Sequence, residues 1–72
     1  MSKKSITIET SNSKEYFEIE EYSGKLYVYK LDYNNFWSSK NRTVIGETKS
    51  MDDAVTIAKA YVSGTIRKVN IN

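Results

Sequence analysis

The sequence has no cysteine and no histidine. Without cysteine the chain forms no disulfide and offers no thiolate to a metal ion. Without histidine it lacks the side chain that most often serves as a general base near pH 7. No run of about 20 apolar residues predicts a membrane span, and no apolar stretch follows the basic N-terminus as a secretory signal requires. We therefore expect a cytoplasmic protein that contacts no membrane.

Proline is also absent and only three glycines are present, so few residues can mark the breaks between strands and helices. The 72 residues are enough for one small domain, residues 1–72, of which we expect residues 1–4 to fray. With 39% hydrophobic and 28% charged residues the composition is typical of a folded chain. The net charge of +2 is far below that of a dedicated nucleic-acid binder.

One segment, residues 50–64, has the apolar spacing of an amphipathic helix. Its apolar residues recur at intervals of three and four: Met51, Ala54, Val55, Ile57, Ala58, Tyr61 and Val62. Ser50 is the predicted N-cap, with Asp53 as its partner in a capping box. Gly64 is the predicted left-handed residue beyond the C-terminus. We expect the apolar side of this helix to cover one face of a sheet.

Alternating segments on both sides of the helix predict short strands. They span residues 6–8, 16–22, 25–33, 43–48 and 65–71. Ser23 and Gly24 join the second and third strands as a hairpin. The predicted fold class is therefore α+β, with a single antiparallel or mixed sheet of four or five strands. The element order is a β-β-β-β-α-β meander with one helix packed on one face.

The hairpin also predicts which side chains share a sheet face. Phe17 and Ile19 alternate with polar and aromatic neighbours, so we expect them to face the helix, joined by Leu26 and Val28. The remaining residues then share the opposite face: Tyr16, Glu18, Glu20, Tyr22, Tyr27, Tyr29, Leu31 and Tyr33. The alternative is a one-residue bulge, which would move some of them back to the helix face. Because one helix covers one face, we expect aromatic area to stay exposed there beside solvated carboxylates.

No group of residues predicts catalysis, a cofactor site or a metal site. The carboxylates of residues 18–21 have no third ligand at a recognisable offset, and Asp52 and Asp53 are explained by helix capping. No base is placed to activate a serine or threonine, and no glycine-rich phosphate loop is present. We expect a protein that is not an enzyme and holds neither cofactor nor metal.

The segment from Asn34 to Arg42 is predicted to be a loop that carries two adjacent aromatic residues, Phe36 and Trp37, followed by Lys40 and Arg42. Aromatic rings can fill a partner's pocket or stack on bases, and the cations can meet carboxylates or phosphates. The alternative is that both rings cover one end of a small core. The sequence leaves both alternatives open.

Residues 24–61 resemble the three-strand-plus-helix DNA-binding domains of plant AP2 transcription factors and the arm-binding domains of tyrosine recombinases. The shared features are Gly24-Lys25 at the start of an aromatic strand, Asp32 near its end, Arg42 and Gly46 in the next strand, and Ser50, Asp53, Ala54 and Ala58 in the helix. The resemblance implies a similar topology and a sheet face that meets the DNA major groove. Those families place Arg and Lys on that face, whereas this chain offers Glu18, Glu20 and tyrosines.

The first functional hypothesis is a small non-enzymatic binding module that occupies a surface of a protein partner, as accessory or inhibitor proteins of phages and mobile elements do. Its predicted contact residues are Tyr16, Tyr22, Tyr27, Tyr29, Phe36, Trp37, Lys40 and Arg42. Tyr, Trp and Arg are the usual anchors of protein interfaces. The same tyrosines also suit a two-fold homodimer.

The alternative hypothesis is a DNA- or RNA-binding domain that uses the sheet face and the segment 34–42. Its predicted contact residues are Trp37, Lys40, Arg42, Lys49, Arg67 and Lys68. Trp37 would stack on a base and the cations would meet phosphates, so binding should weaken steeply as salt is added.

Overall fold

Five strands and one helix make up the fold of the computed structural model, which describes residues 3–34 and 39–72 and the side chains of all of these except 33, 34, 39 and 40. The elements are β1 (Lys3–Thr10), β2 (Lys14–Tyr22), β3 (Lys25–Asn34), β4 (Ser39–Thr48), α1 (Met51–Tyr61) and β5 (Ile66–Ile71). The predicted α+β class with a single sheet and one helix is confirmed.

The sheet has the strand order β4-β3-β2-β1-β5, and every neighbouring pair is antiparallel. The first four strands form a meander. Strand β5 does not continue the meander beside β4 but pairs with β1, so α1 carries the chain from one edge of the sheet to the other. The two edge strands are therefore β4 and β5.

Four strands extend beyond their predicted bounds, and β1 and β4 do so by the most residues. Strand β1 begins at Lys3, which pairs with Glu20. Residues 1 and 2 lie outside the described part, and the fraying of residues 1–4 stays a prediction. Strand β4 begins at Ser39, so residues 39–42 belong to a strand and not to the predicted loop. Their polar side chains give no strand pattern, but backbone pairing with β3 needs no apolar side chain at an exposed edge.

The core lies between the sheet and α1. Its buried residues come from three strands and the helix: Ile6, Ile8, Phe17, Ile19, Val28, Ala54 and Ala58. Phe17 and Ile19 face the helix as the alternation predicts, and Leu26 and Val28 pack with them. The two buried helical residues are alanines, whose short side chains let the helix backbone approach the sheet closely.

Gly46 on β4 lies directly beneath the side chain of Ile57 on α1. A Cβ atom at position 46 would lie 3.1 Å from both Cδ1 and Cγ2 of Ile57. This contact is tighter than ordinary van der Waals packing, so the absence of a side chain at Gly46 sets how close α1 lies to this edge of the sheet.

The helix begins as the sequence predicts but ends differently. The hydroxyl of Ser50 accepts a hydrogen bond from the backbone N–H of Asp53 at 3.1 Å, which satisfies one of the free donors of the first turn. The helix ends at Tyr61 with Val62 as an extended C-cap, so Gly64 does not cap it. Gly64 has φ +89° and packs against the 11–13 turn, where a Cβ atom would lie 2.9 Å from Nδ2 of Asn12.

An ion cluster closes one end of the core on the helix side. The ammonium of Lys30 lies 5.7 Å from the ring centroid of Phe17, 3.0 Å from Oε1 of Glu15 and 3.3 Å from Oδ1 of Asp32. Burial by itself lowers the pKa of Lys30, but the hydrogen bonds to the two carboxylates raise it above its ordinary value. Hydrogen bonds from Ser13 and Lys30 lower the pKa of Glu15.

Candidate functional site

The sheet face turned away from α1, here called the open face, carries the predicted tyrosines. Cross-strand pairs fix their positions, because directly opposed residues of an antiparallel pair share a face. On β2 and β3 the pairs are Tyr16 with Leu31, Glu18 with Tyr29, Glu20 with Tyr27, and Tyr22 with Lys25. In the part of the chain that the structure describes, no helix or further strand packs on this face.

The four tyrosines differ in how much of each ring meets solvent. Tyr22 is 60% exposed and Tyr16 is 37% exposed, near opposite ends of β2. Tyr27 and Tyr29, on the neighbouring strand β3, are half-buried. The more exposed rings of the open face therefore lie on β2 and the less exposed rings on β3.

Val44 is a further apolar residue of the open face that the sequence analysis misses. It pairs with Tyr29 and is 57% exposed. A register shift between Val28 and Tyr29 leaves Ile45 as an extra residue on β4. This bulge breaks the simple alternation along β4. In the sequence, only the alternation of Arg42 and Val44 indicates that Val44 lies on the open face. That alternation can be recognised only if β4 is known to begin at residue 39.

Arg42 reaches from β4 across β3 to the carboxylates of β2. Its guanidinium lies 4.3 Å from the ring centroid of Tyr29, and its Nη1 atom lies 2.9 Å from Oε1 of Glu18 and 3.6 Å from Oε1 of Glu20. The ring contact is a cation–π interaction. The hydrogen bond to Glu18 raises the pKa of Arg42, and the charge of Glu20 adds to the effect.

Glu18 is buried, with only 5% of its surface exposed, so the expectation that it is a solvated surface carboxylate is wrong. Arg42 lies on one side of it, and Nζ of Lys3 lies 3.9 Å from its Oε2 atom. A buried carboxylate is tolerated where cations and hydrogen bonds compensate the lost hydration. The extension of β1 and β4 beyond their predicted bounds brings both cations to Glu18.

Two further ion pairs lie on the open face. Nζ of Lys14 lies 3.9 Å from Oε2 of Glu9, and Nζ of Lys25 lies 3.9 Å from Oε2 of Glu47. These exposed pairs contribute little stability individually. Their consequence is electrostatic, because neighbouring opposite charges leave the face without a strong field of one sign.

The predicted partner-binding set is brought together in part. Tyr16, Tyr22, Tyr27, Tyr29 and Arg42 share the open face across β2, β3 and β4. Phe36, Trp37 and the side chain of Lys40 lie outside the described residues.

The predicted nucleic-acid set is dispersed. Arg42 contacts Glu18 and Glu20, whereas Lys49 precedes the helix on the other side of the sheet, where it lines a groove with Met51. Arg67 and Lys68 lie on β5 at the opposite edge, about 19 Å from β4 for a five-stranded sheet. Trp37 and Lys40 are not described at the side-chain level. The described cations of this set form no continuous basic stripe.

The groove at the N-terminal end of α1 is the best-formed concavity described. It has a volume of about 240 Å³ and lies between Leu26, Met51, Lys4 and Lys49. Small-molecule pockets usually enclose about 300–1,000 Å³ and bury most of their ligand. This groove is smaller and open on one side, so the open face remains the stronger candidate site.

Among residues 3–34 and 39–72, no group of three or more Asp or Glu side chains is arranged to hold a metal ion. Within the same residues, no helix has the length and apolar content needed to cross a membrane. Comparisons of the chain with known protein families, curated proteins and solved structures find no match. The resemblance of residues 24–61 to AP2-type and recombinase arm-binding domains therefore stays a prediction.

Proposed function

We propose that the protein is a non-enzymatic binding module that docks its open face on a protein partner. The observation that carries the proposal is the combination of exposed rings and ion pairs on the described part of the open face. Tyr16, Tyr22 and Val44 offer apolar contact area, while Arg42 and Lys3 neutralise the carboxylate beneath them. A partner that covers this face would bury aromatic surface and would not have to desolvate an unpaired carboxylate at Glu18.

The state of Arg42 also favours a protein partner over nucleic acid. An arginine that contacts phosphate must offer its N–H donors to the ligand, but here Nη1 of Arg42 lies against the carboxylates of Glu18 and Glu20. A phosphate placed near this arginine would also lie near two carboxylates, which repel it. On the described part of the open face, the cation beside Tyr29 is therefore already bound to carboxylates, which does not favour the alternative of DNA or RNA binding.

A second copy of the chain is an alternative partner for the same face. Isologous pairing would place Tyr16 and Tyr22 of one copy against the face of the other. Sedimentation of the purified protein over a range of concentrations distinguishes this homodimer from a complex with another protein. A role as an accessory or inhibitor protein of a phage or mobile element is compatible with such a module and stays a prediction.

The test is affinity capture of the protein from extracts of cells in which the protein occurs naturally, with and without nuclease treatment. We expect a protein partner to be retained after nuclease digestion and to remain bound at moderate salt. Mobility-shift assays with mixed duplex and single-stranded oligonucleotides across a salt series form the second arm. A shift that disappears steeply with salt, together with loss of all captured protein after nuclease treatment, would overturn the proposal.

A further inference from the structure

Among the described residues, no strand pairs with the outer edge of β5, and this strand carries two cations. Arg67 and Lys68 are exposed, and neither forms an ion pair with any residue in the described ranges 3–34 and 39–72. By contrast, Arg42 and Glu47 on the other edge strand, β4, are paired with residues of β2 and β3. The β5 edge therefore carries positive charge that the fold itself does not neutralise.

The backbone of β5 also presents unpaired hydrogen-bonding groups at this edge. Ser5 and Asn72 exchange two backbone hydrogen bonds, of 3.1 and 2.9 Å, which fixes the alternation along β1 and β5. In an antiparallel pair the next residues along, Ile6 and Ile71, form a pair without hydrogen bonds. The N–H and C=O groups of Ile71 and Val69 consequently point away from β1, in the direction a sixth strand would occupy.

The side chains of β5 determine which sequence pattern would suit a sixth strand. Val69 and Ile71 pair with Ile8 and Ile6 and so lie on the helix side of the sheet, with Ile71 47% exposed. Lys68 pairs with Glu9 and so lies on the other side. A complementary strand has apolar residues beside Val69 and Ile71 and acidic residues beside Lys68, which is an alternation of period two.

We propose that the β5 edge is a second docking site, which binds an extended peptide segment of alternating acidic and apolar residues by adding a strand to the sheet. This site is separate from the open face and does not depend on the function proposed for that face. Strand addition satisfies the outward backbone groups, while Arg67 and Lys68 select an acidic sequence. They also oppose pairing of two β5 edges, because a second copy brings the same positive charges.

The test uses the synthetic peptide acetyl-Glu-Val-Glu-Val-Glu-Val-amide and, as its matched control, acetyl-Lys-Val-Lys-Val-Lys-Val-amide. Each is titrated into ¹⁵N-labelled full-length protein in low salt. With the acidic peptide we expect amide shifts centred on Val69 and Ile71 and slower hydrogen exchange of both amides. With the basic peptide we expect neither effect. Equal binding of the two peptides, or no acidic-peptide effect at millimolar concentration, would overturn the proposal.

Variants separate the backbone contribution from the side-chain contribution. Ile71→Pro removes one outward N–H without touching the hydrogen bonds to β1, and Ile71→Ala removes the same apolar side chain but keeps that N–H. We expect the proline variant to bind the acidic peptide about fivefold more weakly than the alanine variant, from one hydrogen bond. Circular dichroism confirms that both variants are folded. Equal affinities of the two variants would contradict strand addition.

A second pair of variants tests the charges and does not disturb the core. Arg67→Gln combined with Lys68→Gln should abolish discrimination between the two peptides, whereas Lys59→Gln on α1 should preserve it. If the amide positions of Val69 and Ile71 instead shift with protein concentration in the absence of peptide, the edge is occupied by a second copy of the chain, and the peptide proposal fails.

Discussion

The guanidinium of Arg42 lies over the ring of Tyr29 and donates a 2.9 Å hydrogen bond to the carboxylate of Glu18. The two charged residues are 24 positions apart in sequence and lie on strands that are separated by β3. One contact thus links three strands on the open face, holds the ring of Tyr29 and compensates a buried charge.

Replacement of Arg42 should destabilise the fold more than replacement of any other exposed cation. In Arg42→Ala the carboxylate of Glu18 stays buried and, among the described residues, keeps an ion pair with Lys3 alone, at 3.9 Å, so its lost hydration is poorly compensated. Thermal and denaturant unfolding measure the effect. The control is Arg67→Ala, which should change neither the melting temperature nor the free energy of unfolding. Adding Glu18→Gln to Arg42→Ala should restore part of the loss. An Arg42→Ala variant as stable as the wild type would contradict the stabilising role of Arg42.

Loss of the helix N-cap should cost about 1 kcal/mol of unfolding free energy, the usual effect for such a residue. Ser50→Ala removes the hydroxyl that accepts from the N–H of Asp53, whereas Ser50→Asp retains an acceptor and should be close to wild type. Ser63→Ala is the matched control, because Ser63 is exposed beyond the end of the helix. Equal unfolding midpoints for Ser50→Ala and Ser63→Ala would show that the cap contributes nothing.

A side chain at Gly46 should force α1 away from β4. Gly46→Val places methyl groups where Ile57 already lies within 3.1 Å of a Cβ position, and overpacking of this kind costs about 1–3 kcal/mol. The double variant Gly46→Val with Ile57→Ala makes room for the added atoms. We expect its unfolding free energy to exceed the value obtained by summing the two single losses. Simple additivity in denaturant unfolding would mean that the two positions do not compete for space.

The ion cluster around Lys30 should make stability depend on pH in two windows. The pKa of Glu15 is lowered from its ordinary value of 4.5, so the stability it contributes is present above pH 4.5 and is lost as pH falls through the lower folded-state pKa. The pKa of Lys30 is raised from 10.5, so its contribution is present below pH 10.5 and is lost above the folded-state pKa.

An NMR titration of the Glu15 side-chain carboxyl measures the first window directly. Ser13→Ala removes the hydrogen bond from the Ser13 hydroxyl, which is 2.7 Å long. It should move the pKa of Glu15 back toward 4.5, because that bond is the largest of the contributions that lower it. An unchanged titration curve in this variant would assign the lowered pKa to Lys30 alone.

The helix and the β2–β3 hairpin are predictable from sequence because each has its own periodic pattern. Apolar spacing marks α1, and strict alternation around Phe17 and Ile19 assigns the tyrosines to the open face. The start of β4 is not predictable in this way, because residues 39–43 are polar and have no apolar alternation that would mark their pairing with β3. The burial of Glu18 could not be predicted either, because it depends on the position of Arg42 on β4.

The end of the helix shows the same limit. Glycine spacing correctly identifies Gly64 as a residue with positive φ, at +89°. The close packing of Gly64 against Ser11 and Asn12 joins residues that are far apart in sequence, so a local sequence pattern cannot predict it. The candidate site was therefore predictable in its tyrosines but not in the ion pairs that surround them, nor in Val44.

Capture of a partner by matched tyrosine variants tests the open face most directly. Tyr16→Ala combined with Tyr22→Ala removes the two most exposed rings of this face, and Tyr61→Ala removes a 54% exposed ring from the helix side, where it contacts Phe17. We predict that the double variant stays folded, as circular dichroism would show, and loses the captured protein, while Tyr61→Ala retains it. Full retention of the partner by the double variant would contradict the proposed docking of this face.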